Sequence, residues 1–319
     1  MANIKKYIIP AHSRTNISGA RLVVNRHFIE SQTQKPVVGI IFSHANGFCK
    51  EIWWPIINRL FDHFQGTIEC WAMDCRHQGE SGVLNQKLLA GNVSWLDCGR
   101  DILQLISFFQ MRKRYQRIIG IGHSFGGTCS LMAQILLPNK TFDAIFLIDP
   151  VLAKFERNIK GGLLFGVQAY RRRDEWENIE EAKKYHRGKE FFAAFDPEVF
   201  ELYMKYGLYE LPNSKMVALK TTTEQEALTF ICDTPSHFTT FKNLRRIRVP
   251  TFWITGANSI VCPKAEVPAL AKLCPGGGEY HIVKNAGHMV SLEKPKEVSE
   301  VIIKYLEQYK LAVASVSKL

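Results

Sequence analysis

The sequence predicts an α/β fold in which a mostly parallel central sheet is flanked by helices and interrupted by a mainly helical cap insertion. Three observations carry this expectation. Short apolar runs of strand length alternate with stretches of helical period. Several of those runs break at their carboxyl ends into polar or glycine-containing turns. Residues 151–245 then abandon the alternation: they are rich in charge and aromatics and contain no clear buried strand.

Taken in order, Leu22 to Phe28 is the first predicted strand. Val37 to Phe42 is a continuous apolar run that stops at Ser43-His44-Ala45-Asn46-Gly47. Ile52 to Phe64 has helical spacing, and Ile68 to Met73 is the next strand, ended by Asp74-Cys75-Arg76-His77-Gln78-Gly79. Ser94 suits the N-cap of a helix whose apolar stripe is Leu96, Leu103, Ile106 and Phe109. Ile118 to Ile121 reads as a strand, Gly127 to Leu137 as a helix stopped by Pro138, and Ala144 to Ile148 as a strand ending at Asp149-Pro150. Thr251 to Thr255 and Tyr280 to Val283 complete the strands. A last helix carries Val298, Val301, Ile302, Tyr305, Leu306 and Tyr309 on one face. The expected organisation is a core in two parts, 1–150 and 246–312, a cap at 151–245, and a tail at 313–319.

Composition bounds the function classes. The 319 residues are 46% apolar, enough for a sizeable core. The net charge of +11 suits anionic partners without choosing among them. The chain has no finger-type Cys/His spacing and no RNP-like motif, so nucleic acid is not the expected partner. No stretch approaches the length of a membrane span. The apolar run Tyr7-Ile8-Ile9 is too short for a signal peptide. The eight cysteines form no C-x-x-C pair and are expected as buried thiols in a reducing compartment.

The sharpest chemical signal is Gly122-His123-Ser124-Phe125-Gly126-Gly127, between a predicted strand and a predicted helix. A serine hydroxyl is a poor nucleophile unless it is exposed on a tight turn beside a base, and such a turn needs glycine two residues to either side. Ser124 is therefore the expected nucleophile. The base should follow late in the chain, and His288 in Asn285-Ala286-Gly287-His288-Met289 lies between the last strand and the last helix. An oxyanion hole needs two backbone amides: one from Phe125, the other from the loop after an early strand. Asn46 is the expected second donor, with Ala45 and Gly47 one residue away. His44 is expected to orient that loop, His123 to pack against neighbouring strands, and Asp74 and Arg76 to hold the fold by pairing.

These pieces, together with Asp74-x-Arg76-x-x-Gly79-x-Ser81 and Gly287-His288-x-x-x-x-Glu293-x-Pro295, resemble the α/β-hydrolase superfamily over nearly the full length. With the terminal Ser317-Lys318-Leu319, the chain most resembles fungal peroxisomal lipases and the hydrolases of host-selective toxin biosynthesis. The resemblance implies the α/β-hydrolase fold and a catalytic triad. Most members place the acid after the penultimate strand, yet Gly256-Ala257-Asn258-Ser259-Ile260-Val261 has no carboxylate. Some members carry it one strand earlier, where Asp149 stands. Asp149 is the expected acid, with Asn258 kept as a neutral substitute.

The expected function is hydrolysis of carboxylic esters of lipid-like acyl groups through an acyl-enzyme on Ser124, without metal or organic cofactor. A peroxisomal acyl-CoA thioesterase and a non-catalytic acyl-ligand-binding protein are the alternatives. Serine at the elbow argues against the superfamily's epoxide hydrolases and dehalogenases, which use aspartate there. Ser317-Lys318-Leu319 reads as a peroxisomal address, with the import receptor as partner and the peroxisomal matrix as location. In the insertion, Arg171-Arg172-Arg173 is expected as a solvated helix face, the alternative being a patch for an anionic substrate. Phe191, Phe192, Phe195, Phe200, Tyr203 and Tyr206 are expected in helix packing, the alternative being an acyl pocket.

Overall fold

The runs Val38–Ser43, Ile68–Met73 and Ala144–Ile148 are buried along their whole length, the pattern of strands covered on both faces. The computed structural model describes residues 2–14, 17–30, 36–89, 91, 93–139, 141–154, 159–232 and 234–312. Ser317, Lys318 and Leu319 lie outside them. The strands are β1 (Asn3–Pro10), β2 (Arg21–Phe28), β3 (Val38–Ser43), β4 (Ile68–Met73), β5 (Arg117–His123), β6 (Ala144–Ile148), β7 (Glu175–Trp176), β8 (Leu208–Glu210), β9 (Val217–Leu219), β10 (Thr251–Gly256) and β11 (Gly278–Val283). Eight of them form one sheet in the order β1-β2-β4-β3-β5-β6-β10-β11. The β1–β2 and β2–β4 pairs are antiparallel, and every other pair is parallel.

Alternation along the central strands splits the core into two layers. Ile40, Phe42, Ile119, Ile121, Phe146 and Phe252 pack on one face, among residues of the helices Trp54–Phe64 and Pro295–Gln308. Ile41, Ile118, Ile145, Leu147 and Trp253 pack on the other, with the helices Trp95–Phe108, Phe125–Leu136 and Val267–Lys272. Ser94 takes the expected N-cap position of its helix, with extended backbone angles.

Two features of the sheets depart from the sequence reading. Strand β1 was not foreseen. It is an antiparallel edge strand with most residues exposed, so it has no buried run to betray it. The segment between β6 and β10 is mainly helical as expected, yet it holds a small antiparallel sheet, β7-β9-β8. Strands of two or three residues are too short to show a period of two.

Candidate active site

Parallel strands in register bring their carboxyl ends to one edge, where ligands bind in open α/β sheets. Ser43 at the end of β3 pairs with Gly122 of β5, His123 pairs with Ile148 of β6, and Gly256 of β10 pairs with Val283 of β11. The loops carrying Asn46, Ser124, Asp149 and His288 therefore leave the sheet side by side.

Ser124 follows β5 directly, with φ 54° and ψ −120°, a conformation that a non-glycine residue adopts only under constraint. Its amide donates to the Ile148 carbonyl at 2.8 Å, and its carbonyl accepts from Gly127 and Thr128, opening the helix. The glycines permit the turn by close approach. A Cβ on Gly126 would stand 2.3 Å from the Ser43 carbonyl oxygen, and one on Gly122 would stand 2.5 Å from that of Gly126.

The Ser124 Oγ lies 2.9 Å from His288 Nε2, and His288 Nδ1 lies 2.7 Å from Asp149 Oδ1. Asp149 is fully buried and also adopts a left-handed φ of 44°. Its carboxylate further accepts from Ser259 Oγ at 2.7 Å, from the Gly256 amide at 3.2 Å and from Thr255 Oγ1. Four donors hold the carboxylate in place, and its bond to Nδ1 leaves Nε2 facing the serine. Asn258 does not share this position: it is exposed, and its amide donates to the Ala286 carbonyl at 2.9 Å. Thr255 and Ser259 were not singled out from sequence. Hydroxyls within and beside the segment that lacks a carboxylate were the available signal.

The loop bearing His288 is fastened at both ends. Asn285 takes a left-handed φ of 53°, and the Gly287 amide donates to Glu293 Oε2 at 2.7 Å. His123 does more than pack. Its Nε2 donates to the His288 carbonyl at 2.9 Å while Nδ1 accepts from Ser291 Oγ at 3.1 Å. Burial, with the neighbouring His288 adding to it, pushes the His123 pKa down to about 3, so the ring is neutral and does not titrate with the site.

In the loop after β3, burial lowers the His44 pKa, and this neutral ring bonds the Ala45 carbonyl through Nδ1 at 2.8 Å. Its Nε2 accepts from the Cys75 amide at 3.1 Å. The Gly47 amide is taken by Gln78 Oε1 at 3.0 Å, which removes it as an oxyanion donor. The Asn46 side chain is also engaged, accepting from Gln78 Nε2 at 2.5 Å and donating to the Glu226 carbonyl at 3.1 Å. Gln78, buried and central to this loop, carries no sequence signal of its own.

Ser124, Phe125, Asn46 and His288 line a cavity of about 370 Å³ that is mostly apolar. Of the six insertion aromatics, Phe191 and Tyr203 line it. Phe192, Phe195 and Phe200 are buried in packing, and Tyr206 packs at a tilt against Trp54 with ring centres 4.9 Å apart. The three arginines do not form one helix face. Their helix ends at Tyr170; Arg171 and Arg173 are exposed, while Arg172 turns inward, pairs with Glu226 and lines the cavity. Asp74 and Arg76 pair with other elements rather than with each other. Asp74 meets the buried Lys50 at 2.8 Å, and Arg76 grips Asp101 through two bonds of 2.8 and 2.6 Å.

Seven of the eight cysteines are buried, Cys232 is exposed, and none is in a disulfide. Cys75, His77 and Cys98 bring potential ligand atoms within 4.8 Å of one another, the one such group among the described residues, but they do not line the cavity. No helix among the described residues is long and apolar enough to cross a membrane.

Comparison with known proteins gives a consistent fold. A model of the alpha/beta hydrolase family matches residues 40–301. The type I acyl-CoA thioesterase mpaH of Penicillium brevicompactum is 28% identical over 193 residues, covering 57% of this chain and 42% of that protein. The chain thus spans less than half the length of that relative. The peroxisomal membrane protein LPX1 of Saccharomyces cerevisiae is 24% identical over 298 residues, covering 86% of this chain and 76% of its own. The solved structure of Lpx1, described as a peroxisomal alpha-beta-hydrolase, superposes with a TM-score of 0.85 at 21% identity over 100% of this chain and 93% of that one. The abhydrolase domain-containing protein ACTT2-1 of Alternaria alternata is 26% identical over 226 residues, 60% of this chain and 84% of that protein.

Proposed function

The chain belongs to the alpha/beta hydrolase family, and we propose that it is a serine hydrolase cleaving carboxylic esters of lipid-like acyl groups. The observation that carries the reading is the continuous contact from Ser124 Oγ through His288 to the buried Asp149, at 2.9 and 2.7 Å, opening into an apolar cavity. His288 removes the Ser124 proton as Oγ attacks the ester carbonyl. The oxyanion rests on the amides of Phe125 and Asn46, and the protonated His288 gives its proton to the departing alcohol. Water then attacks the acyl-enzyme with His288 as base, releasing the acid and regenerating Ser124. Asp149 fixes the histidine tautomer and stabilises its cation.

The test is hydrolysis of p-nitrophenyl esters of graded chain length by wild type and Ser124→Ala. Turnover by the wild type with a loss of order 10⁶ in kcat in the variant is expected, the scale of a nucleophile knockout. Undiminished turnover by Ser124→Ala removes the assignment. The thioesterase reading is favoured by the similarity to the type I acyl-CoA thioesterase of Penicillium brevicompactum. A preference of at least tenfold in kcat/KM for CoA thioesters over matched oxygen esters would select it. Silence on both substrate classes selects the binding protein.

The peroxisomal matrix, reached through the import receptor, rests on Ser317-Lys318-Leu319 and on the peroxisomal relative. A fluorescent protein ending in residues 310–319 should collect in peroxisomes, and deletion of Leu319 should leave it cytosolic. Cytosolic signal from the intact tail would exclude the address.

A further inference from the structure

Arg172 follows the cap helix Ile159–Tyr170, and its guanidinium turns away from its two exposed neighbours into the cavity shared with Ser124 and His288. A guanidinium carries five N–H donors and is always charged. Among the described residues one recorded hydrogen bond uses them, from Nη2 to Glu226 Oε2. The Nε atom is buried with no acceptor. The Arg172 side chain retains 22% of its exposure, against 9% for Glu226.

A charged side chain that served only as an internal brace would have its donors filled by carbonyls or carboxylates, because a desolvated donor without a partner is costly. Glu226 is braced in that way. Its backbone carbonyl accepts from Asn46 Nδ2, and its carboxyl packs against Gly47, where a Cβ would meet Cδ at 2.9 Å. Arg172 is thus held in place from one side by a fixed carboxylate and left unfilled on the other. The cavity around it is otherwise furnished mainly by side chains such as Phe48, Phe165, Val151 and Phe230, which offer a hydrophobic tail no polar contact.

We propose that Arg172 is a specificity-determining residue that receives a hydrogen-bond-accepting oxygen of the substrate beyond its ester group, a hydroxyl or carboxylate, and so selects oxygenated substrates over plain alkyl ones. This rests on the reading of the cavity as an ester-binding site. An oxygen arriving there takes a charge-assisted bond from the accessible part of a guanidinium that is mostly removed from water. A methyl group in the same place leaves the donors unfilled, and sites built to bond an oxygen discriminate strongly against analogues that lack it.

The experiment measures calorimetric binding of uncleaved esters to Ser124→Ala protein. The esters form matched sets of graded length ending in methyl, hydroxyl or carboxylate, on either the acyl or the alcohol side. At one length or more, the oxygen-ended ester should bind about tenfold or more tightly than its methyl-ended partner, the scale of one bond to a charged group. Adding Arg172→Met with Glu226→Gln, which leaves no buried charge behind, should bring that ratio to about one while the protein keeps a cooperative melting transition. A ratio of one at every length, a ratio that survives the added substitutions, or no binding by any ester overturns the proposal. Kinetics on the same esters keep the two readings apart. Wild-type protein that hydrolyses none of them sinks the hydrolase reading, and the binding ratio still judges Arg172.

Discussion

Asp149 shows how much a single carboxylate can organise. Its two oxygens accept from His288, Ser259, Thr255 and the Gly256 amide, so every surrounding group is a donor. An asparagine there would turn an NH₂ toward one of those donors. Either it faces His288 Nδ1, which then loses its proton to Nε2 and the histidine can no longer accept from Ser124, or it faces the hydroxyls and amide of the opposite side. Asp149→Asn is expected to lower kcat by about 10⁴ with the protein still folded, as loss of the orienting acid does in a serine triad. Asn258→Ala, at an exposed residue whose backbone amide is kept by the substitution, should leave kcat within about threefold. The reverse ranking in steady-state kinetics would return the acid role to the β10–β11 loop. The loops carrying Ser124, His288 and Asp149 were legible in the sequence, because each follows a strand-length run and an element boundary is what such a run marks. Thr255, Ser259 and Gln78 were not, because their roles depend on which neighbour they face.

Among the elements, the ends of β3, β5, β6, β10 and β11 do the positioning. Their parallel register aligns the carboxyl ends, and close backbone approaches at Gly122, Gly126 and Gly256 lock the loops together: a Cβ on Gly256 would stand 2.1 Å from the Gly287 carbonyl oxygen. Across the sheet, the turn Lys50–Trp53, the end of β4 and the helix Gly79–Asn85 are joined by Lys50. Its buried ammonium meets Asp74, Glu51 and Glu80 at 2.8, 2.9 and 2.6 Å. Glu80 is held down to about 2, the Lys50 charge prevailing over burial. No periodicity predicts such a cluster, since a lone lysine in an amphipathic stretch reads as a surface residue. The same limit applied to the arginine triplet. Charge in sequence suggested a solvated face, and the end of the helix at Tyr170 sent the middle residue inward.

For the whole molecule, buried histidines set the acid side of stability. Burial pushes His27, His186 and His237 down to about 4 and His123 to about 3, with the charge of Lys50 adding to the effect at His27. In the unfolded chain these rings take protons near pH 6.5. Between there and pH 4 the unfolded state therefore binds protons that the folded state refuses, and stability falls as the pH falls. Asp101 opposes this, since burial raises it to about 6 against the pull of Arg76 and it is protonated first in the folded state. Glu51 and Glu226, raised chiefly by burial, act in the same sense. His44, lowered by burial as well, acts with these histidines, and together they outnumber the carboxyl groups, so unfolding takes up protons on balance near pH 5. Denaturant unfolding at pH 7, 6 and 5 should show stability declining at each step. A flat or rising trend would mean that the carboxyl groups outweigh the histidines.

By itself the sequence determined the α/β class, the order of the central strands, and the three loops from which Ser124, Asp149 and His288 project. These follow from local chemistry: apolar period, glycine where a turn needs it, and the punctuation of short runs. Only the tertiary structure decided that the end of β10 and the segment after it supply hydroxyl donors to Asp149 rather than a substitute for it, that Gly47 spends its amide on Gln78, and that Arg172 faces the cavity. It also decided that Asn3–Pro10 completes the sheet as an exposed edge strand. The physical reason is common to all four. Each depends on partners far apart in the chain, and a hydrogen bond or strand pairing across such a gap leaves no periodic trace in the residues between.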